Sequence, residues 1–182
     1  MNKLAFALAG AMTIALAAPV TPASASFEGP EAQMTAMSAA EQARDDMLQT
    51  FGDKQLKPGQ YIWRDDAGNG DPRVVISLGD QLAYLYEGTD LVAVAAISTG
   101  REGKPTPTGI FPILEKRPMY HSKKYDNAAM PFMQRIDKYG IAMHAGHNPG
   151  HAASHGCIRL PSKFAAKLYQ TTEVGTPVLI GS

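Results

Sequence analysis

From Gln60 onward, apolar residues fall in short continuous or alternating runs, at 61–63, 74–78, 81–86 and 91–99, each bounded by turn residues. Runs of this length, rich in Val, Ile, Tyr and Trp and broken by Gly-Asn-Gly, Gly-Asp and Gly-Thr-Asp, predict β-strands with tight connections. Leu78-Gly79-Asp80-Gln81 and Glu87-Gly88-Thr89-Asp90 separate successive runs, so consecutive antiparallel hairpins are the simplest topology and a β-meander opens the domain. The pattern predicts further strands over 109–114, 130–136, 141–144 and 176–180, and a helix over 161–170 with Pro161 in its first turn.

The segment before Gln60 has a different rhythm. Ser38-Ala39-Ala40-Glu41 has the spacing of a capping box, and the helix-forming run behind it continues until Gly52. One amphipathic helix is therefore predicted within 26–58, with Met34, Met37 and Met47 filling gaps against the domain it packs on. The expected fold class is mainly β: a sandwich or meander over 59–182 with one or two short helices, plus the N-terminal helix. No internal repeat or low-complexity tract suggests a second domain.

Lys and Arg number 17 and Asp and Glu number 17, a balance that argues against nucleic acid or an anionic membrane surface as partner. Residues 1–25 carry Lys3, an apolar stretch over 4–18 and Ala23-Ser24-Ala25, the pattern of a secretory signal peptide with a small-residue cleavage site. Pro19 and Pro22 interrupt the stretch, which falls short of the roughly 20 strongly apolar residues of a membrane span. No cysteine stands near the cleavage point to take a lipid. The expectation is an exported chain, mature from about Ser26, with no stable membrane anchor after signal cleavage and a place in the periplasm or cell wall. Exported proteins tend to pair their thiols, whereas Cys157 is the single cysteine, which points to chemistry rather than a disulfide.

Four of the five histidines and that cysteine lie within 141–160. A thiol attacks carbonyls as thiolate and needs an imidazole or positive surroundings to reach that form. His144, ending a predicted strand, and His155, two residues before the cysteine, are both candidate partners, and spacing leaves the choice open. Gly156 permits a turn at positive φ that would turn successive N–H groups toward an oxyanion. Arg159 is placed to favour the thiolate or to hold a substrate carboxylate in bidentate fashion. A zinc site built from His144, His147, His151, His155 and Cys157 is the competing chemistry. Gly146, Asn148-Pro149-Gly150 and Gly156 break any helix that would gather those ligands, so no metal is expected, and His147 and His151 read as solvated loop residues. The stretch 120–134, with Tyr120, His121, Tyr125, Pro131 and Phe132, reads as a lid or substrate wall. Tyr120 and Phe132 are its expected substrate contacts, together with Ser154.

Ser154-His155-Gly156-Cys157-Ile158-Arg159-Leu160, preceded by Ile141-Ala142-Met143-His144, closely resembles the catalytic signature of L,D-transpeptidases, penicillin-insensitive cross-linking enzymes of bacterial cell walls. Val74-Val75-Ile76-Ser77, Ser98-Thr99-Gly100, Pro105-Thr106-Pro107-Thr108-Gly109-Ile110-Phe111 and Gly175-Thr176-Pro177-Val178 extend the resemblance over roughly residues 72 to 181. The resemblance implies Cys157 as nucleophile, His144 as its base, His155 and Arg159 in support, and no cofactor. It implies peptidoglycan stem peptides as partners: attack at the carbonyl before the terminal D-alanine, a thioester, and capture by the amine of a second stem. Resolution by water, as in a carboxypeptidase, and attachment of stems to a lipoprotein would use the same residues. A non-catalytic wall-binding module would be expected to have lost Cys157 or His144. Thirteen positions separate those two residues, fewer than in many members, so the loop between them is trimmed.

Overall fold

The structure is a computed structural model describing residues 28–66 and 68–182; the predicted signal peptide lies outside the described residues. In chain order the elements are α1 (Pro30–Phe51), β1 (Tyr61–Trp63), β2 (Pro72–Ser77), β3 (Leu82–Glu87), β4 (Asp90–Ala96), β5 (Gly109–Pro112) and β6 (Glu115–His121). There follow β7 (Ala129–Arg135), β8 (Ala142–Ala145), β9 (Ile158–Leu160), α2 (Ser162–Thr171) and β10 (Pro177–Gly181). The mainly β class with an N-terminal helix is as expected. The strands form two sheets, β1-β4-β3-β2-β10-β5 and β6-β7-β8-β9.

Strands β2, β3 and β4 make the expected meander of antiparallel neighbours. The meander stops there, because β10 enters the sheet beside β2 in parallel and pairs with β5 on its other side. Both faces of this sheet are covered, which is why its central strands read as unbroken apolar runs rather than alternating ones. Val74, Ile76, Ala83 and Leu85 point into the core between the sheets with Phe111, Met143 and Ile158, while Val75, Tyr84 and Tyr86 point beneath α1. Phe164 and Leu168 of α2 complete the inner core.

Helix α1 starts at Pro30, earlier than the Ser38 capping box suggested. Pro30 brings a helical φ and lacks the N–H that a first turn leaves unpaired, so Ser38 lies mid-helix and exposed. The buried stripe is Ala32, Ala36, Ala40, Ala43 and Met47. Met34 and Met37 are 65% and 41% exposed, so of the three methionines expected to fill gaps only Met47 does. Alanines carry the contact because they let the helix backbone approach the sheet: a Cβ on Gly181 of β10 would lie 2.5 Å from the Ala36 carbonyl oxygen. The Tyr86 hydroxyl donates to Asp46 of the helix at 2.7 Å.

Strand β6 is absent from the expectation. Its sequence, Glu-Lys-Arg-Pro-Met-Tyr-His, is mostly polar and half-exposed, and Pro118 is tolerated because β6 is an edge strand. Residues 120–134 are thus largely β-hairpin, and the excursion expected there shrinks to the tip at residues 122–128.

Candidate active site

β8 and β9 run in parallel with Met143 opposite Ile158, His144 opposite Arg159 and Ala145 opposite Leu160. Side chains alternate along a strand and paired residues share a face. Met143, Ala145, Ile158 and Leu160 belong to the inner core, so Ala142, His144 and Arg159, with Cys157 one step before β9, occupy the other face. Cys157 is diagonal to His144 across the two strands. All four residues line a cavity of about 460 Å³ on the outer face of the four-stranded sheet, a size suited to an extended peptide segment. Met130, Met133 and Ala142 form its apolar floor beside Tyr120.

The Cys157 thiol points at the Gly140 carbonyl, 3.8 Å away. Burial pushes this thiol up; the Ala142 backbone N–H pulls it down, the Asp137 charge adds to the rise and the Arg159 charge opposes it. Gly140 is held in place by buried Asp137, whose Oδ1 accepts the N–H groups of Tyr139, Gly140 and Ile141 at 2.9, 2.7 and 2.7 Å. Asp137 was not singled out in the sequence, although Asp three residues before Gly is an ordinary turn signal.

His144 places Nδ1 2.9 Å from the Ala145 carbonyl oxygen. A carbonyl only accepts, so Nδ1 carries the proton and Nε2 keeps its lone pair. Burial holds His144 below the ordinary imidazole value; the Ala145 carbonyl works against that and Arg159 reinforces it. A neutral imidazole able to take a proton at Nε2 therefore sits on the thiol's face of the sheet.

His155 is placed differently. Its Nε2 lies 3.1 Å from the Arg101 guanidinium, which only donates, so that nitrogen accepts. Its ring stacks on Tyr125 at 4.5 Å between centroids. Loss of solvent lowers its pKa first, followed by the charges of Arg101, Lys104 and Arg159. His155 ties the cysteine loop to Arg101 and to the tip of the β6–β7 hairpin.

Ser154 braces the loop: its Oγ donates to the Cys157 carbonyl at 2.5 Å and accepts the Gly156 N–H at 3.0 Å. Gly156 has the expected positive φ, 113°, but its N–H is engaged by Ser154 and is not offered to an oxyanion. Among the described residues the Cys157 N–H has no hydrogen-bond partner, so it is available as a donor beside the thiol.

Tyr120 lines the cavity; Phe132 does not. Phe132 adopts φ 55° and packs on Tyr169 of α2, with ring centroids 6.0 Å apart, while Met130 and Met133 on either side face the cavity. The expected substrate contact at Phe132 is thus a packing contact, which no alternation rule reveals because positive φ breaks the alternation. His147 reaches the cavity edge and His151 is exposed. Among the described residues no three His, Cys, Asp or Glu converge on a point where a metal ion could be held.

The family model for the L,D-transpeptidase catalytic domain, YkuD, matches residues 71–180. The chain belongs to the L,D-transpeptidase family. The YkuD protein of Bacillus licheniformis, an L,D-transpeptidase by name, is 30% identical over 135 residues, covering 69% of this chain and 77% of the relative. Among solved structures, an L,D-transpeptidase from Mycobacterium smegmatis superposes with a TM-score of 0.57 at 22% identity, covering 63% of this chain and 60% of that one. One from Stackebrandtia nassauensis gives 0.57 at 23% identity, covering 75% and 62%. At such identity these likenesses establish the L,D-transpeptidase fold. The chain spans about three-fifths of the length of those solved structures.

Proposed function

We propose that the chain is an exported L,D-transpeptidase that cross-links peptidoglycan stem peptides in the periplasm or cell wall, with Cys157 as nucleophile and His144 as proton carrier. One observation carries this reading: an imidazole with a free Nε2 shares a sheet face and a cavity with the chain's single thiol. Both groups rest neutral, since burial raises the thiol and lowers the imidazole, so proton transfer accompanies attack instead of preceding it.

Nε2 of His144 takes the thiol proton as Sγ attacks the carbonyl preceding the terminal D-alanine of a tetrapeptide stem. The oxygen that becomes negative is met by the Cys157 N–H. His144 returns the proton to the departing D-alanine amine, leaving a thioester. The acceptor amine of a second stem then attacks that thioester, its proton passes to His144, and the thiol leaves with a proton restored. Arg159 stands beside both groups, placed to hold the carboxylate of the D-alanine. Residues 1–25 serve as the cleaved leader; no described helix is long and apolar enough to cross a membrane.

Disaccharide-tetrapeptide incubated with residues 26–182 tests the reading by mass spectrometry, with Cys157→Ala alongside. Cross-linked dimer and free D-alanine formed only by the intact thiol are expected. Tripeptide monomer alone would mean water is the acceptor, and products unaffected by the substitution would remove the cysteine mechanism.

A further inference from the structure

The Pro105-Thr106-Pro107 segment contributes nothing to the cavity lining, yet Thr106 is buried at 4% exposure directly behind the cysteine loop. Its hydroxyl accepts the Gly100 N–H at 2.8 Å and donates to the Gly156 carbonyl at 2.8 Å. The direction is unambiguous, because an N–H can only donate and a carbonyl can only accept. We infer that Thr106 is a positioning residue for acyl transfer: by holding the Gly156 carbonyl, it aims the Cys157 N–H at the oxygen of the reacting carbonyl.

The peptide joining Gly156 to Cys157 carries both groups. In a trans peptide the C=O and N–H point in opposite directions within one plane. Anchoring the carbonyl toward buried Thr106 turns the N–H the other way, and that N–H has no hydrogen-bond partner among the described residues. Ser154 fixes the preceding peptide through the Gly156 N–H, so rotation is restrained at both ends of Gly156.

Two glycines make this approach possible. A Cβ on Gly100 would lie 2.2 Å from the Lys104 oxygen and 2.6 Å from the Thr106 nitrogen. A Cβ on Gly156 would lie 2.5 Å from the Ile141 side chain and 3.5 Å from the Pro105 oxygen. Proline on either side of Thr106 fixes φ at those positions and narrows the conformations of Thr106 itself.

The inference rests on Cys157 being the nucleophile but not on which acyl group it accepts, and the test separates the two. Attack on p-nitrophenyl acetate passes through a tetrahedral oxyanion and releases nitrophenolate; alkylation by iodoacetamide consumes the same thiolate by direct displacement and forms no oxyanion. In Thr106→Val the nitrophenolate burst, corrected for the Cys157→Ala background, is expected to slow about 10- to 100-fold, since losing one oxyanion donor outright costs about 100- to 1,000-fold. Alkylation of the same variant stays near the wild-type rate, and Thr106→Ser restores the burst. If Thr106→Val does not fold, as judged by its thermal melt, Thr106→Ala takes its place.

Parallel loss of alkylation and acylation, an unchanged burst, or failure of Ser to restore it would each overturn the assignment. Wild-type protein that acylates with the ester but leaves stem peptides untouched would remove the peptidoglycan reading while the Thr106 comparison stands. Absence of any Cys157-dependent burst would remove both.

Discussion

The two sheets are built from the same kind of strand but differ in what covers them. The six-stranded sheet is packed on one face by α1 and on the other by the inner core, and its central residues are almost wholly excluded from solvent. The four-stranded sheet shares that core, but its outer face is walled by the β6–β7 hairpin tip and the loops at residues 139–140 and 146–157, which leave a cavity between them. On that face lie the free thiol, a buried imidazole with one nitrogen unspent, and the cavity, and the strand flanking it carries the positive φ of Phe132. The candidate site therefore lies on the sheet whose face keeps a cavity, and the other sheet is packed on both sides.

That division can be broken most sharply at His144. Gln in its place keeps the side-chain size but cannot carry a proton, and acyl transfer should fall about 1,000-fold, within the range of a lost general base. The thermal melt should barely change near neutral pH. It should also respond less to acid than the wild type's. Because the folded value of His144 is depressed, the folded state resists its protonation; wild-type stability is complete above about 6.5 and declines as pH falls through the window below it. A variant inactive because it is unfolded would void the separation.

Leu85→Ala makes the reciprocal cut. Leu85 is fully buried in the covered sheet, and its truncation should cost about 2–5 kcal/mol in urea unfolding while turnover per folded molecule is preserved. Loss of turnover in proportion to the folded fraction is the expected result; a change in KM would show that the scaffold shapes the cavity directly.

The smallest effect is expected at Asp137. Asn preserves the side-chain oxygen that accepts the three turn N–H groups but removes the charge that raises the Cys157 thiol. The pH midpoint of iodoacetamide alkylation should move to lower pH. A shift to higher pH would mean that the turn itself had rearranged.

Much of the covered sheet is legible in the sequence because burial on both faces writes unbroken runs such as Val74-Val75-Ile76. β6 is not, since an edge strand that opens on three consecutive charged residues followed by Pro118 carries no such run. The capping box at Ser38 points to a later start for α1 than the one at Pro30, where a proline suits the first turn. Cys157 and His144 stand out because they share one short segment and an uncommon pairing of residue types. Thr106 and Asp137 do not, because each acts through hydrogen bonds to backbone groups, and any residue supplies a backbone. Phe132 was misplaced for a related reason: a local dihedral, not a side-chain pattern, decides which way it faces.

The position of β10 also dictates when the protein can become itself. Val178 lies beside Val74, although nearly the whole domain separates them along the chain, and β5 has its sheet partner in β10. A nascent polypeptide still lacking residues 177–181 cannot join β5 to β2, however much of the preceding chain has emerged from the ribosome. Assembly of that sheet waits for the last strand, and such long-range closure is slow compared with hairpin formation.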